Sequence, residues 1–375
     1  MQKYPGFFSS IISSNGYRNI DSVLVVMHVN VEVQNFLTAL AGVTRIAGVI
    51  PKASSKKFAN LDSLKNNYPL FDIDRSEILA SPDQFINNID RLIKNERFAI
   101  IDMGGYFSHV ALDLTKIFDK QFIGIVEDTE NGHQKYDALI NRRRPSDNLA
   151  PVISVARSSL KEPEDSLVGQ AIVFSAEAIM RTLGLVLLGK RVGVIGFGKI
   201  GRSIAFSLLS RGSRVDVFDS NPILLASALS LGFHTSPRSE FLGSADIIFC
   251  ATGNKSLSLT DGDLFKNGLH IFCATSSDDE LSTCLRYKID ADSESVRAHT
   301  CKIHLKNKHV FIHNKGNSVN FVHGAVVDNF IELVQGEIIY SIGSLHDAPK
   351  NTISHLPELD KRFISEKWIS YHQHT

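Results

Sequence analysis

The chain has 375 residues, 43% of them hydrophobic, and it carries 40 basic and 40 acidic side chains. One hydrophobic core rarely serves more than about 250–300 residues, so we expect two domains. The balanced charge lacks the basic excess that is typical of nucleic-acid-binding proteins, and we therefore expect no nucleic-acid partner.

Cysteine spacing and hydropathy narrow the class of protein further. The four cysteines form no Cys-x-x-Cys pair, so we predict no metal site, and unpaired cysteines suit a reducing compartment. The longest apolar stretch, near 183–188, falls short of the roughly 20 residues that span a bilayer. The first residues lack the charged-then-apolar order of a signal peptide. We expect a cytoplasmic protein without membrane contact.

The N-terminal third of the chain alternates strand and helix patterns. Apolar, β-branched runs predict strands at 22–28, 45–50, 98–102 and 122–126, and a helix at 31–40. Strands separated by helices indicate a parallel, doubly wound sheet, which binds ligands beyond the carboxyl ends of its strands. The candidate site segments are therefore those that follow the strands: His28, 102–106 and 127–131.

The middle of the chain contains a domain boundary. A polar stretch at 141–151 precedes a short predicted strand at 152–155, and residues 165–188 are predicted to form one long helix. A later helix, VVDNFIELVQGEII, is expected to cross back to the first domain. We predict an α/β protein with two domains. They are a doubly wound substrate domain (1–165 plus 323–360) and a Rossmann NAD-binding domain (166–322), followed by a tail (361–375).

The segment KRVGVIGFGKIGRSIAFSLLSRGSRVDVFDSNP has the pattern of a dinucleotide-binding βαβ unit. A strand at 191–195 runs into Gly196-x-Gly198-x-x-Gly201, and a helix follows at once. Gly196 permits the tight turn, Gly198 lets the pyrophosphate approach the backbone, and Gly201 allows close helix–strand packing. The free N–H groups and partial positive charge of the helix N-terminus favour phosphate.

Asp219 closes the second strand of this unit, 18 residues after Gly201. A carboxylate at this position accepts hydrogen bonds from ribose hydroxyls and repels a 2′-phosphate, so NAD is predicted rather than NADP. Two further strands, at 245–251 and 268–274, end in polar loops. The predicted cofactor-binding residues are those of the turn, the acid and these loops: Gly196, Gly198, Lys199, Ile200, Gly201, Asp219, Ala251, Thr252, Gly253, Asn254 and Thr275.

Four short motifs precede the dinucleotide unit: MHVNVE at 27–32, IIDMGG at 100–105, GIVEDTENG at 124–132 and KEPEDSLVG at 161–169. Together with GKRVGVIGFGKIGRS, VDVFDSNP and DIIFCATGN, their order resembles the S-adenosylhomocysteine hydrolase (adenosylhomocysteinase) family. The resemblance extends unevenly over most of the chain. Asp219 stands where the family has Glu.

The resemblance implies an NAD-dependent reaction of one-carbon metabolism. In that family tightly held NAD oxidises a ribose 3′-hydroxyl, the 4′ proton is removed, homocysteine leaves, water adds and the ketone is reduced again. The resemblance also implies a nucleoside-like small-molecule substrate and a homo-oligomer.

The resemblance assigns roles within the substrate domain. His28 falls on a substrate-site histidine, and Lys161 falls on a lysine that acts at the substrate. Glu127 and Asp128 are adjacent, so on extended backbone they point in opposite directions and at most one faces the site. The implied catalytic residues are His28, Asp102, Asp128, Lys161 and Asp165. The implied substrate-binding residues are Asn30 and Glu32, and Thr129 is implied in cofactor binding.

Several positions depart from the family pattern. Met103 replaces the second Asp of Asp-Asp-Gly-Gly and cannot accept a proton. Pro163 and Glu164 replace the second lysine and the aromatic of the lysine motif. The family's Asn-x-Gly-His segment becomes Cys-Ala-Thr-Ser at 273–276, and its Gly-His-Pro becomes Gly-Asn-Ser at 316–318. A missing base costs roughly 10²–10⁴-fold in rate, so ordinary hydrolysis of S-adenosylhomocysteine is not expected.

Three functions remain open at the level of sequence. The first is an NAD-dependent enzyme that acts on a different nucleoside or small hydroxylated substrate, beginning with hydride transfer to NAD. The second is a catalytically inactive NAD sensor or regulatory partner of a true hydrolase, which the loss of the acid at Met103 favours. The third is a simple NAD-dependent dehydrogenase, which would need an Arg–His or Lys–His pair that the sequence does not show convincingly.

Overall fold

The computed structural model describes residues 6–12, 20–29, 33–56 and 61–373, without the side chains of residues 54, 62 and 63. The chain forms two compact units. Unit 1 comprises Met1–Lys161 and Asp328–Thr375, and unit 2 comprises Glu162–Val327. The predicted boundaries at 165/166 and 322/323 lie within a few residues of these division points.

The elements follow one another in three stretches of chain. The first stretch, in unit 1, contains α1 Gly6–Ile12, β1 Ser22–Met27, α2 Val33–Ala41, β2 Arg45–Pro51, α3 Ala53–Lys56, α4 Asp62–Asn67, α5 Arg75–Ala80, α6 Pro82–Ile93, β3 Phe98–Asp102, α7 Ala111–Phe118, β4 Phe122–Glu127, α8 Glu130–Arg142 and β5 Val152–Ser154. Unit 2 contains α9 Glu162–Thr182, β6 Arg191–Ile195, α10 Lys199–Leu209, β7 Arg214–Phe218, α11 Pro222–Ser230, β8 His234–Thr235, α12 Arg238–Ser244, β9 Ile247–Cys250, β10 Leu269–Cys273, α13 Ser277–Glu280, α14 Thr283–Asp292, β11 Glu294–Arg297, β12 Thr300–Leu305 and β13 Lys308–His313. The return to unit 1 contains α15 Ile331–Ser344, β14 Ile353–Ser354 and α16 Glu358–His372.

Unit 1 is built on a parallel six-stranded sheet of order β14-β5-β4-β3-β1-β2. β1 is buried at every position because apolar layers cover both faces of the sheet. The chain order reverses between β1 and β3, and a parallel sheet binds ligands at the carboxyl ends of the strands beside such a switch point. The residues that follow β1 and β3, namely His28 and 103–105, are called the switch-point edge below.

Unit 2 has an eight-stranded sheet of order β11-β12-β13-β10-β9-β6-β7-β8. The six strands from β13 to β8 pair in parallel and have the Rossmann order 3-2-1-4-5-6, counting from β6. The sequence did not predict the antiparallel extension formed by β11 and β12. The predicted α/β class, with a doubly wound domain and a Rossmann domain, is confirmed.

Element boundaries agree closely at the dinucleotide unit and less well elsewhere. The predicted helix at 165–188 was too long, since α9 ends at Thr182. Gly184, with φ +73°, has the left-handed backbone that terminates helices. The predicted strand at 22–28 ends at Met27, which leaves His28 immediately beyond the sheet. No helix within the described part of the chain is long and apolar enough to cross a membrane.

Candidate dinucleotide and substrate sites

The three glycines of the turn after β6 have three different surroundings. Gly196 has φ +95°, which L side chains rarely adopt. A Cβ on Gly201 would lie 1.9 Å from the Gly196 carbonyl oxygen, so only glycine allows α10 to approach the strand. A Cβ on Gly198 would meet no atom within 4 Å. The turn therefore leaves open space at the one glycine whose predicted role is to admit the pyrophosphate.

Asp219 lies directly after β7 and is half-buried. One carboxylate oxygen accepts the backbone N–H of Phe197, at 2.7 Å, inside the glycine turn. The other accepts the N–H of Asn221 at 2.8 Å. The acid is thus held beside the turn, and its predicted role of binding a ribose and repelling a 2′-phosphate stays a prediction.

Glu280 connects the two loops that follow β9 and β10, and the sequence did not single it out. Its buried carboxylate accepts the N–H of Gly253 at 2.9 Å and the hydroxyls of Thr252 at 3.0 Å and Thr275 at 3.2 Å. Burial raises its pKa, and the donated hydrogen bonds oppose that shift. Three predicted cofactor residues are therefore held by one acid, whose only sequence signal is its place in an acidic run just after β10.

Three other predicted residues of unit 2 lie around the turn. Ala251 contributes its carbonyl oxygen 2.6 Å from the position of a Cβ on Gly196, so it lines the same turn. Ile200 lies in the first turn of α10. The Lys199 ammonium lies 3.6 Å from the buried carboxylate of Asp165, on α9. The predicted roles of Lys199 in cofactor binding and of Asp165 in catalysis stay predictions. Asn254 lies in the loop after β9 and donates its N–H to the Thr252 hydroxyl.

His28 occupies the switch-point edge of unit 1. Its Nδ1 lies 3.3 Å from the hydroxyl of Ser55, which also accepts the N–H of Val29 at 2.9 Å. Burial, followed by the ammonium charges of Lys52 and Lys161, holds the pKa of His28 well below its usual range. His28 is therefore neutral near pH 7 and has the proton-accepting form that a general base needs.

Lys161 and Asp128 form a buried ion pair near this edge. The Lys161 ammonium lies 2.8 Å from the Asp128 carboxylate, and both side chains are less than a tenth exposed. Glu337, on α15, is buried close enough for both charges to act on it, and its Oε2 has no hydrogen-bond partner among the described residues. Burial raises the pKa of Glu337 to about 7. The sequence predicted Asp128 and Lys161 but missed Glu337, which is remote in the chain.

Asp102 holds the loop that follows β3, which is the structural alternative to a catalytic role at this position. The side chain is fully buried and accepts the N–H groups of Met103, Tyr106 and Phe107 at 2.8–3.1 Å. It also accepts the Tyr136 hydroxyl at 2.6 Å. Four donors on one enclosed carboxylate fix the loop after β3, so we interpret Asp102 as a positioning residue; its predicted catalytic role stays a prediction.

Glu127 holds the same loop from the neighbouring strand. Its carboxylate accepts the N–H groups of Gly104 and Gly105, and both the N–H and the hydroxyl of Thr129. Burial and the charge of Asp102 raise the pKa of Glu127 to about 8. Glu127 and Asp128 have separate partners, so only Asp128 joins Lys161.

Thr129 also caps α8, where its hydroxyl accepts the N–H of Gly132 at 3.1 Å. Its implied contact with the cofactor stays a prediction. The predicted substrate-binding residues Asn30 and Glu32 lie outside the described residues. The described residues contain no cluster of three potential metal ligands.

The strand order, the open space at Gly198 and the acid after β7 together define unit 2 as an NAD-binding Rossmann domain. Residues 172–326 match the family model of the S-adenosyl-L-homocysteine hydrolase NAD-binding domain. The chain is similar to the adenosylhomocysteinase family, of which it would be a divergent member, and NAD is its cofactor.

Three similar proteins illustrate how distant the resemblance is. The adenosylhomocysteinase of Thermotoga maritima is 28% identical over 63% of this chain and 58% of its own length. The adenosylhomocysteinase of Thermoplasma volcanium is 24% identical over 86% of this chain and 78% of its own. The S-inosyl-L-homocysteine hydrolase of Methanopyrus kandleri is 27% identical over 64% of this chain and 57% of its own. The chain thus spans under two thirds of the length of two of these relatives.

Proposed function

We propose that the chain is an NAD-dependent enzyme that acts on a nucleoside-like or other small hydroxylated substrate, different from that of the adenosylhomocysteinases. The single observation that carries the proposal is the neutral, half-buried His28 beside the Lys161–Asp128 pair at the switch-point edge. A decayed site would gain nothing from two buried lysines and a buried carboxylate, because burying charge is costly. The names of proteins similar to this chain include adenosyl- and inosylhomocysteine, so a nucleoside-like ligand is the first class to test.

The chemistry that NAD would supply when bound is acceptance of a hydride from the carbon that bears the substrate hydroxyl, and the hydroxyl itself would lose a proton. The residues of unit 1 would bind the substrate and handle its proton. His28 would accept that proton because its ring is neutral, and the Lys161 ammonium would stabilise the developing oxyanion. Asp128 would keep Lys161 charged and oriented.

A non-enzymatic NAD sensor, or a regulatory partner of a true hydrolase, is the second candidate. Two observations favour it. Met103 follows β3 where the related motif has an acid, and Asp102 is wholly engaged by backbone N–H groups and Tyr136. A sensor would bind NAD without oxidising any substrate.

The deciding experiment mixes NAD-loaded protein with adenosine, inosine and their homocysteine thioethers while the absorbance of reduced nicotinamide is followed. We expect at least one compound to reduce the bound cofactor, and His28→Asn to slow that step by roughly 100-fold or more. His346→Asn is the matched control, because His346 is an exposed histidine of the same unit.

Each alternative has its own outcome. Bound NAD with no reduction by any compound would contradict the enzyme proposal and favour a sensor, and co-purification with an active hydrolase would favour a regulatory partner. Free exchange of NADH with solvent would favour a simple dehydrogenase. We also propose that the protein is a cytoplasmic homo-oligomer, because the family it resembles is usually oligomeric. Sedimentation of the purified protein tests the number of subunits.

A further inference from the structure

Three basic side chains from three separate segments converge on Gly104, in the loop after β3. Lys135, on α8, donates to the Gly104 carbonyl oxygen at 2.8 Å, and Arg75, at the start of α5, donates to the same oxygen at 3.2 Å. The Lys52 ammonium, after β2, lies 3.1 Å from the position that a Cβ on Gly104 would occupy. None of the three lies in a motif that the sequence shows.

Lys52 joins this group to the switch-point edge. Its side chain is only 7% exposed, so its charge is held in a poorly screened environment. It is also one of the two ammonium groups whose charge acts on His28. The charge of this basic group therefore acts on His28, one of the residues proposed to handle the substrate.

The acids beneath the loop do not turn outward to neutralise this group. Glu127 accepts the N–H groups of Gly104 and Gly105 from below, and Asp102 accepts those of Met103, Tyr106 and Phe107. Both carboxyls are fully buried. Met103 itself adds no charge.

The loop is also built to keep Gly104 in place. Gly104 and Gly105 have φ of +99° and +65°, so both occupy a backbone region that favours glycine. Two donated hydrogen bonds to Glu127 and two accepted by the Gly104 carbonyl fix the loop on both sides. The ammonium and guanidinium groups are thereby arranged before any ligand arrives, which reduces the entropy lost on binding.

We infer that Lys52, Arg75 and Lys135, arranged around Gly104 at the carboxyl edge of unit 1, bind an anionic phosphate or carboxylate group carried by the substrate. Parallel α/β sheets bind ligands at this edge, and ammonium and guanidinium groups form short, charge-assisted hydrogen bonds to such anions. The inference rests on the proposed function, because it names a chemical feature of the substrate. It predicts an acidic substrate rather than a neutral nucleoside.

Calorimetric titration of protein saturated with NAD tests the inference, since NAD occupies the dinucleotide site of unit 2. The probes are adenosine, adenosine 5′-monophosphate, S-adenosylhomocysteine and inorganic phosphate. We expect adenosine 5′-monophosphate or the carboxylate-bearing thioether to bind at least about tenfold more tightly than adenosine. Which of the two binds tighter distinguishes phosphate from carboxylate, and binding of inorganic phosphate alone would show that the anion needs no nucleoside.

Charge-removing variants supply the second measurement. Lys52→Met and Lys135→Met remove the charge and keep most of the aliphatic stem. In each variant the affinity for the anionic probe should fall to near the affinity for adenosine. Lys120→Met, which removes an exposed lysine after α7, should leave the preference unchanged. If Lys52→Met misfolds, the half-buried Lys135 still decides the question.

Two results would overturn the inference: equal binding of neutral and anionic probes, or an anion preference that survives both variants. Neither result touches the oxidation of a substrate, which the absorbance assay measures separately. Anion binding without cofactor reduction would contradict the proposed function and leave the anion site standing.

Discussion

Gly198 and Gly201 belong to one turn but differ in what a side chain would meet. Gly198→Ala should fold normally, because its Cβ meets nothing within 4 Å, yet NAD affinity should fall by on the order of tenfold or more as the Cβ enters the pyrophosphate space. Gly201→Ala should lower thermal stability even without NAD, because its Cβ would lie 1.9 Å from a carbonyl oxygen. Fluorescence titration and thermal unfolding measure the two effects. An equal loss of stability in both variants would contradict the assigned roles.

Gly132, in unit 1, is another glycine at which an added side chain would collide with its surroundings. A Cβ at this position would lie 2.0 Å from the Glu127 carboxyl carbon, so Gly132→Ala should displace the acid that holds the loop after β3. Overpacking and lost hydrogen bonds together should cost about 3 kcal/mol in urea unfolding. Gly243→Ala, in α12, is the control: its nearest contact would be an ordinary 3.5 Å, and its effect should stay within about 1 kcal/mol.

At the scale of an element, α15 contributes a buried acid, Glu337, to unit 1. Glu337 has a pKa raised from 4.5 to about 7, so the folded chain binds its proton more tightly than the unfolded chain does. Its contribution to stability is therefore fully present below about pH 4.5 and is lost as the pH rises through about 7.

Glu337→Gln removes that dependence while keeping the shape of the side chain. The unfolding free energy of the wild type relative to the variant should fall by up to about 3 kcal/mol between the acidic and neutral ends of this window. Urea unfolding at several pH values measures the difference. A difference that stays constant with pH would contradict the raised pKa.

The loops after β9 and β10 depend on another acid, Glu280. Glu280→Gln keeps its size but replaces one accepting oxygen with a donor, facing the Gly253 N–H or the Thr252 and Thr275 hydroxyls. We expect a loss of about 1–3 kcal/mol in stability together with weaker NAD binding. Asp290→Asn, at an exposed acid on α14, should change neither. Unchanged NAD affinity in Glu280→Gln would show that the loops do not need this clamp.

Elements differ in how far the sequence predicts them. The strand β6 was predicted to the residue, and α10 and β7 were predicted to follow it, because glycines and an acid at fixed spacing mark the turn and the end of the second strand. The overlong helix at 165–188 shows the limit: apolar periodicity continued past Thr182, while the left-handed Gly184 decided where α9 ended. Glu280 and Glu337 could not be predicted, because their partners come from distant parts of the chain.

At the scale of the whole molecule, the sequence pattern predicted two domains. It did not show which residues of each domain come together in space. The Rossmann order of unit 2 follows from a local motif, whereas the site of unit 1 is assembled from the ends of several strands and helices. Lys52, Arg75 and Lys135 lie in no recognisable motif, and only the fold brings them to Gly104. Motif matching therefore described the cofactor better than the substrate.

The most direct test of the central claim is mass spectrometry of the small molecules released when the purified protein is denatured. We expect NAD to be released, partly reduced or accompanied by an acidic, nucleoside-like compound. A protein that releases no dinucleotide, and that binds NAD no better when titrated than its Gly198→Ala variant does, would contradict the claim that unit 2 is a working dinucleotide site.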